Sequence, residues 1–311
     1  MSTVYFRIAA RGPPVRHRAP ALERLLARAD AVTSATPWRA EAFRVIAAGP
    51  AAAPAVATAA LRASHVSAAG AWVLIATPVH FIAGMSGVGM PADGILDLGA
   101  PEADALAADF NQRFCDGGAR LIRGEGGLLL CALQSRLDVA TTVPEQIPEA
   151  DIWDALPSGP DAGRVRRLMS EIEMWLFEHP VNEDRRARGL RPISGLWLWG
   201  GGEADAPLPD VQGWTAGEDP LFAAFARRVR YPDHPGAGVV VIAHWPGTSE
   251  WREVETQWLS PAFADLKSGG LRRIELSVAE RRFSWRARSL RRFWRSIRPW
   301  WEDLDVGETV K

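Results

Sequence analysis

Cysteine is nearly absent from this chain: only Cys115 and Cys131 occur in 311 residues. They stand far apart, with no Cys-x-x-Cys pair and no histidine at ligand spacing, so a disulfide framework, a zinc motif and a redox motif are all excluded. Both thiols are expected to be reduced. Net charge is also lacking. A formal charge of −1 gives the molecule as a whole no electrostatic reason to seek nucleic acid or a membrane surface. No apolar run reaches the roughly 18 residues of a membrane span. The alanine-rich stretch from Ala47 to Ala60 comes nearest, but Pro50, Pro54 and then Arg62 interrupt it. No basic segment followed by an apolar core marks the N-terminus. A cytoplasmic protein is expected.

Phosphate-binding loops are missing as well. Gly200, Gly201 and Gly202 are not followed by the lysine and serine or threonine of a P-loop, and Pro207 and Pro209 prevent the helix that a dinucleotide fingerprint needs. These glycines are first read as letting a loop turn sharply at a strand end.

What is present is ample material for a core, with 47% hydrophobic residues. The length allows one large α/β domain or two small ones. We read a single domain over 1–311, with halves at 20–140 and 163–300 joined by a proline-rich connection at 141–162. Charge is unevenly spread. Residues 91–160 carry 12 acidic and 4 basic side chains, and residues 271–300 carry 10 arginines and 2 glutamates. Two solvated surfaces, or two faces meeting each other, account for this without a ligand.

The most informative stretch runs from Glu171 to Gly202. Val165, Leu168, Met169, Ile172, Trp175 and Leu176 fall at helical spacing and predict a core-facing helix over 163–178. Pro180 ends it, because a proline disfavours helical geometry in the residue before it yet suits the first turn of a new helix. His179 thus becomes the corner and the cap of a helix over 180–188, which Gly189 stops. Leu196 to Trp199 is too short and apolar for a surface helix and predicts a buried strand opening into a glycine loop at Gly200 to Gly202.

Elsewhere, Val4 to Ile8 predict an edge strand, Arg11 to Arg18 a loop containing His17, and residues 20–31 and the segment from Pro37 helices. Trp72 to Ala76 predicts a buried strand. His80 follows its end, where ligands gather in open α/β sheets; a structural histidine bonded to a nearby carbonyl is the first reading, and a ligand role the alternative. Ile95 to Leu98 and Gly126 to Leu133 predict strands, Pro101 to Phe114 a helix, and Cys131 a small core hydrophobe. Pro220 to Val229 predicts a helix, Gly238 to Ala243 a strand, and His244 to Gly247 a strand-end corner. Glu250 to Leu266 predicts an amphipathic helix. The tail predicts a hairpin ending at Trp285 and then a short basic, aromatic helix through Leu290, Phe293, Trp294 and Ile297. Its arginines are read as sealing a domain edge rather than holding nucleic acid. The strands near 72–76, 126–132, 194–199 and 238–243 are expected to share one sheet.

The segment HPVNEDRRARGLRPISGLWLWGGG resembles bacterial RpfE-type regulatory or phosphoglycerate-mutase-like proteins, a resemblance extending more weakly from about Leu22 to about Trp300 and including WVLIATPVHFIAG. His179, Pro180, Val181, Asn182, Arg185, Gly189 and the strand ending in Gly200 and Gly202 are similar to a segment of archaeal-type, cofactor-independent phosphoglycerate mutases of the alkaline phosphatase superfamily. The resemblance implies an alkaline-phosphatase-like α/β fold, with a mixed or mostly parallel central sheet flanked by helices. It also implies candidate ligand-binding residues: His80, His179, Asn182, Arg185, Gly200, Gly201 and Gly202. Two metals held by aspartates and histidines, with a serine or threonine nucleophile, would be needed for that family's phosphotransfer. No Gly-His-x-x-Asp or Asp-Gly-x-Gly-Asp segment occurs, the six histidines stand apart, and Trp199 occupies the place where such mutases tend to carry an arginine. The expectation is therefore a regulatory or scaffolding protein without catalysis and with no cofactor. The alternative is a phosphotransferase using two divalent metal ions. The expected partner is another protein or a phosphorylated small molecule, with no nucleic acid and no membrane.

Overall fold

A computed structural model describes residues 2–8, 18–33, 36–47, 52–84, 87–91, 93–147, 151–242, 248–278, 281–292 and 294–303. The loop containing His17, the corner at residues 244–247 and Phe293 lie outside them. The chain forms two compact units, 1–53 with 209–311 and 54–208.

In chain order, the first unit begins with β1 (Thr3–Ile8), α1 (Pro20–Arg28), β2 (Asp30–Ala31) and α2 (Trp38–Ile46). The second unit supplies α3 (Val56–Ala63), β3 (Trp72–Val79), β4 (Ile82–Ala83), β5 (Val88–Gly89), α4 (Ala100–Phe114), β6 (Ala119–Arg123) and β7 (Leu129–Leu133). It continues with α5 (Ala162–Phe177), α6 (Pro180–Ala187) and β8 (Gly195–Glu203). The chain then returns to the first unit with β9 (Trp214–Gly217), β10 (Gly238–Ile242), α7 (Thr248–Val254), α8 (Ser260–Ser268), β11 (Arg273–Val278), β12 (Arg281–Trp285) and α9 (Trp300–Asp303). The fold is thus mixed α/β.

The first unit is built on a six-stranded mixed sheet in the order β2-β12-β11-β1-β10-β9, with a parallel core from β11 to β9. Val4, Phe6 and Ile8 point into a core shared with α1 and α8, while α2 packs over the other face of β1 and β10. A strand covered on both faces reads as a continuous apolar run. That is why β1, expected at an edge, lies at the centre of its sheet, between β10 and β11. The C-terminal hairpin of β11 and β12 forms as expected. The helix expected to follow it does not: residues 287–291 make a short 3-10 turn, and helix resumes only at α9. Arginines there bond carbonyls instead, Arg292 and Arg295 reaching Ala29 O. The helix expected over 220–229 is likewise a single 3-10 turn at Phe222–Ala224. Beyond it the chain is drawn extended to bond Thr215 of β9, with Arg228 N–H donating to Thr215 O at 2.7 Å.

The second unit holds a four-stranded antiparallel sheet in the order β6-β7-β3-β8. Its strands alternate cleanly. Leu196 and Leu198 of β8 join α4 and α5 in one core, and Trp197 and Trp199 join α3 in another. Three of the four strands expected in one sheet meet here, and β10 belongs to the other sheet, where Gly238–Ile242 pairs in parallel with β1 and β9. An apolar run specifies burial but not which sheet receives it. Ile95, expected to begin a strand, makes only an isolated bridge to Val79. Cys131 is fully buried in the leucine core, and burial pushes its thiol up to about 12.

Candidate functional site

The α5–α6 corner forms as its sequence dictates. His179 is the N-cap of α6, and its Nδ1 accepts from the Val181 N–H at 3.2 Å. Nδ1 therefore carries no proton in the neutral ring, and Nε2–H faces Asp109 Oδ2 at 3.2 Å, a close polar contact without good hydrogen-bond alignment. Trp175 packs edge-on against the imidazole at 4.6 Å. Burial lowers the His179 pKa, and Asp109 opposes that shift only in part.

Three of the predicted residues, Asn182, Arg185 and His80, converge on one short segment, 191–194, which carries the chain from α6 into β8. Asn182, buried, accepts from Ile193 N–H at 2.7 Å and donates to Ile193 O at 2.9 Å and Leu176 O at 2.7 Å. Arg185 donates through Nε to Arg191 O at 2.8 Å, and its Nη1 lies 3.0 Å from Glu102 Oε1. Glu102 is itself fixed by the Gly99 N–H at the start of α4. His80 Nδ1 lies 2.9 Å from Pro192 O. A carbonyl only accepts, so Nδ1 holds the proton. Ser194 Oγ, 3.4 Å from the same nitrogen, accepts from Phe81 N–H at 3.0 Å. A protonated Nδ1 cannot serve as a base, so Ser194 and His80 do not form a nucleophile–base pair in this arrangement.

The three glycines lie elsewhere. Rather than forming a loop beyond β8, they are part of it. Val73 opposes Gly202 while Ile75 opposes Trp199, so β8 bulges by one residue. Gly200 supplies the positive φ of 70° at that bulge, and its N–H donates to Thr141 Oγ1 at 3.0 Å. A Cβ on Gly202 would lie 2.3 Å from Ala55 Cβ and 2.5 Å from Thr58 Oγ1. Glycine is therefore required for α3 to pack against β8, which explains the triplet without an anion.

Sequence reasoning missed Glu102 and Ser194. Glu102 had a signal: an acid three residues after Gly99, at the head of a helical pattern, is the capping-box spacing. Ser194 had none. Among the described residues, no group of three or more histidine, cysteine, aspartate or glutamate side chains is placed to hold a metal. A cleft of about 670 Å³ in this unit is lined by residues that include Ser67, Asn111, Arg120 and Gln134, and none of the predicted residues lines it. No described helix is long and apolar enough to cross a membrane.

No protein-family model matches the chain. It is similar to a 2,3-bisphosphoglycerate-independent phosphoglycerate mutase of Methanothrix thermoacetophila, 37% identical over 87 residues, which are 28% of this chain and 22% of that protein. A probable enzyme of the same name from Geobacter sulfurreducens is 36% identical over 61 residues, 20% of this chain and 15% of that one. The matches thus span about a fifth of these relatives' length or less. Among solved structures, a cofactor-independent phosphoglycerate mutase from Thermoplasma acidophilum aligns over 92% of this chain and 89% of its own, with a TM-score of 0.36 and 14% identity.

Proposed function

We propose that this chain is a phosphoglycerate-mutase-like regulatory or scaffolding protein that works without mutase chemistry. One observation carries the reading: Asn182 and Arg185 of the mutase-like segment, and His80 beside them, spend their polar atoms on neighbouring groups of the protein itself. Asn182 uses its carbonyl and amide on Ile193 and Leu176, Arg185 its guanidinium on Arg191 O and Glu102, and His80 its Nδ1 on Pro192 O. Side chains used in this way hold a corner in shape and do not stabilise a transferring phosphoryl group, which needs donors directed at the reacting oxygens. Such a chain would act through a partner, and its surface rather than a pocket would carry specificity.

The test is a coupled mutase assay on purified protein with 3-phosphoglycerate, run beside elemental analysis after dialysis without chelator. No turnover and no stoichiometric divalent metal are expected. About two metal ions per chain, with turnover abolished in a folded His80→Ala variant, would establish the phosphotransferase instead.

A further inference from the structure

The helix α5 has two working faces. Val165, Ile172 and Leu176 are buried in the core, while Gly163, Arg167, Ser170, Met174 and Phe177 line its solvent side. Their spacing of four, three, four and three residues is that of a helix seam built to receive another helix. Met174 is 67% exposed and Phe177 75% exposed, an apolar pair one turn apart with nothing over it.

The charges on this face are ordered against the helix's own field. The first turn carries Arg164 and no acid, the last turn carries no base, and Glu178 stands at the C-cap. Asp161, at the N-cap, is taken up by the Asp138 N–H at 2.8 Å. A helix favours acids at its start and bases at its end, so this arrangement costs stability unless something opposite compensates it. The described contacts of the chain give no partner to Arg164, Arg167, Glu171 or Glu178.

We propose that α5 is a self-association surface, packing antiparallel against α5 of a second copy of this chain across a two-fold axis near residues 170–174. Antiparallel pairing lays the basic half of each helix on the acidic half of the other, and no parallel arrangement does so. Ser170, being small, receives Met174 of the second copy. Arg167 meets both the Phe177 ring and the Glu178 carboxylate of the second copy, joining a cation–π contact to an ion pair. Each contact occurs twice, as an isologous interface requires. Two helices of this length bury an area at the low end for a stable interface, so the dimer is a weak one.

Sedimentation velocity of the full chain over a micromolar concentration series reads this directly. Phe177→Glu is expected to weaken association by roughly tenfold or more, with an unchanged melt, since the side chain is exposed in the monomer. Arg167→Glu and Glu178→Arg should each weaken the dimer, and the double variant should restore it, because only a two-fold axis brings those two positions together. Glu178→Arg also improves the charge at the helix end, so a melting midpoint held or raised alongside lost association separates the interface from the fold. A chain that stays monomeric throughout the series overturns the proposal. So does a dimer insensitive to Phe177→Glu, or a double variant no better than the singles.

Discussion

Asn182 shows how much one amide can hold. Its three bonds tie the end of α5, the start of α6 and the approach to β8. Replacing it with alanine strips the Ile193 N–H and C=O of their partner in a dry environment, while Leu176 O keeps the His179 N–H at 3.2 Å. Asn182→Ala should therefore cost roughly 1 to 3 kcal/mol, and an unaltered melting midpoint would show that the residue serves a ligand and not the corner. Arg185 faces a sharper penalty, because Glu102 stays behind it at 13% side-chain exposure. Arg188 still reaches Glu102 at 3.3 Å, so the loss falls short of the roughly 3 to 5 kcal/mol of a buried pair left wholly uncompensated, yet urea unfolding should find Arg185→Ala more destabilised than Asn182→Ala. Arg185→Lys should recover only part of the loss, since an ammonium cannot span Arg191 O and Glu102 in one plane. His179 adds a pH dependence. Burial depresses its proton affinity in the fold, so below the ordinary imidazole value of about 6.5 the unfolded chain takes the proton more readily. Its stabilisation is complete above that value and is lost as pH falls through the depressed one. His179→Asn keeps a capping acceptor without titrating, so its melting midpoint should vary less steeply with pH over this range.

At the scale of elements, the sequence announces what periodicity controls and conceals what partners control. The helices α1, α2, α4, α5 and α6 and the hairpin of β11 and β12 can be read directly, because each has one buried face and a chemical stop such as Pro180 or Gly189. Strand β6 was not recognisable: Ala119–Arg123 alternates too briefly to stand apart from a loop, and its place depends on pairing with β7. The candidate site divided in the same way. His179 as corner and cap follows from the proline after it, whereas the convergence of His80, Asn182 and Arg185 on residues 191–194 depends on tertiary approach. The glycines of β8 answer to packing that the sequence alone does not display. They accommodate a bulge and a helix, so Gly202→Ala should force α3 outward and cost about 1 to 3 kcal/mol, measurable by chemical denaturation. A phosphate cradle would instead predict a near-normal melt. The edge of β6 carries a further device. Asn111 accepts from Leu121 N–H at 2.8 Å and donates to Leu121 O at 2.9 Å, occupying the outer edge much as a neighbouring strand would.

For the whole molecule, the division into two units has a consequence for folding that a single-domain reading of the sequence does not anticipate. Residues 54–208 contain a complete antiparallel sheet with its own cores on both faces, and every strand of that sheet comes from within those limits. The other unit is assembled from two distant stretches, and its sheet depends on the first of them: β1 lies between β10 and β11 and bonds both along its length. Val4, Phe6 and Ile8 are also fully buried in its core. Deleting residues 2–8 would separate β11 from β10 and empty the centre of that core, a loss too large for a marginally stable fold. A fragment of residues 54–208 should accordingly fold alone, with strand and helix signals in circular dichroism and one cooperative melt. The full chain lacking residues 2–8 should keep that transition and lose tertiary signal from Trp214, Trp251, Trp285 and Trp300, which belong to the other unit. Amide exchange gives the same answer residue by residue: protection should persist in β3, β7 and β8 and vanish in β10 and β11. If the isolated fragment is unfolded, or if the deletion removes protection from both sheets together, the two units fold as one cooperative body.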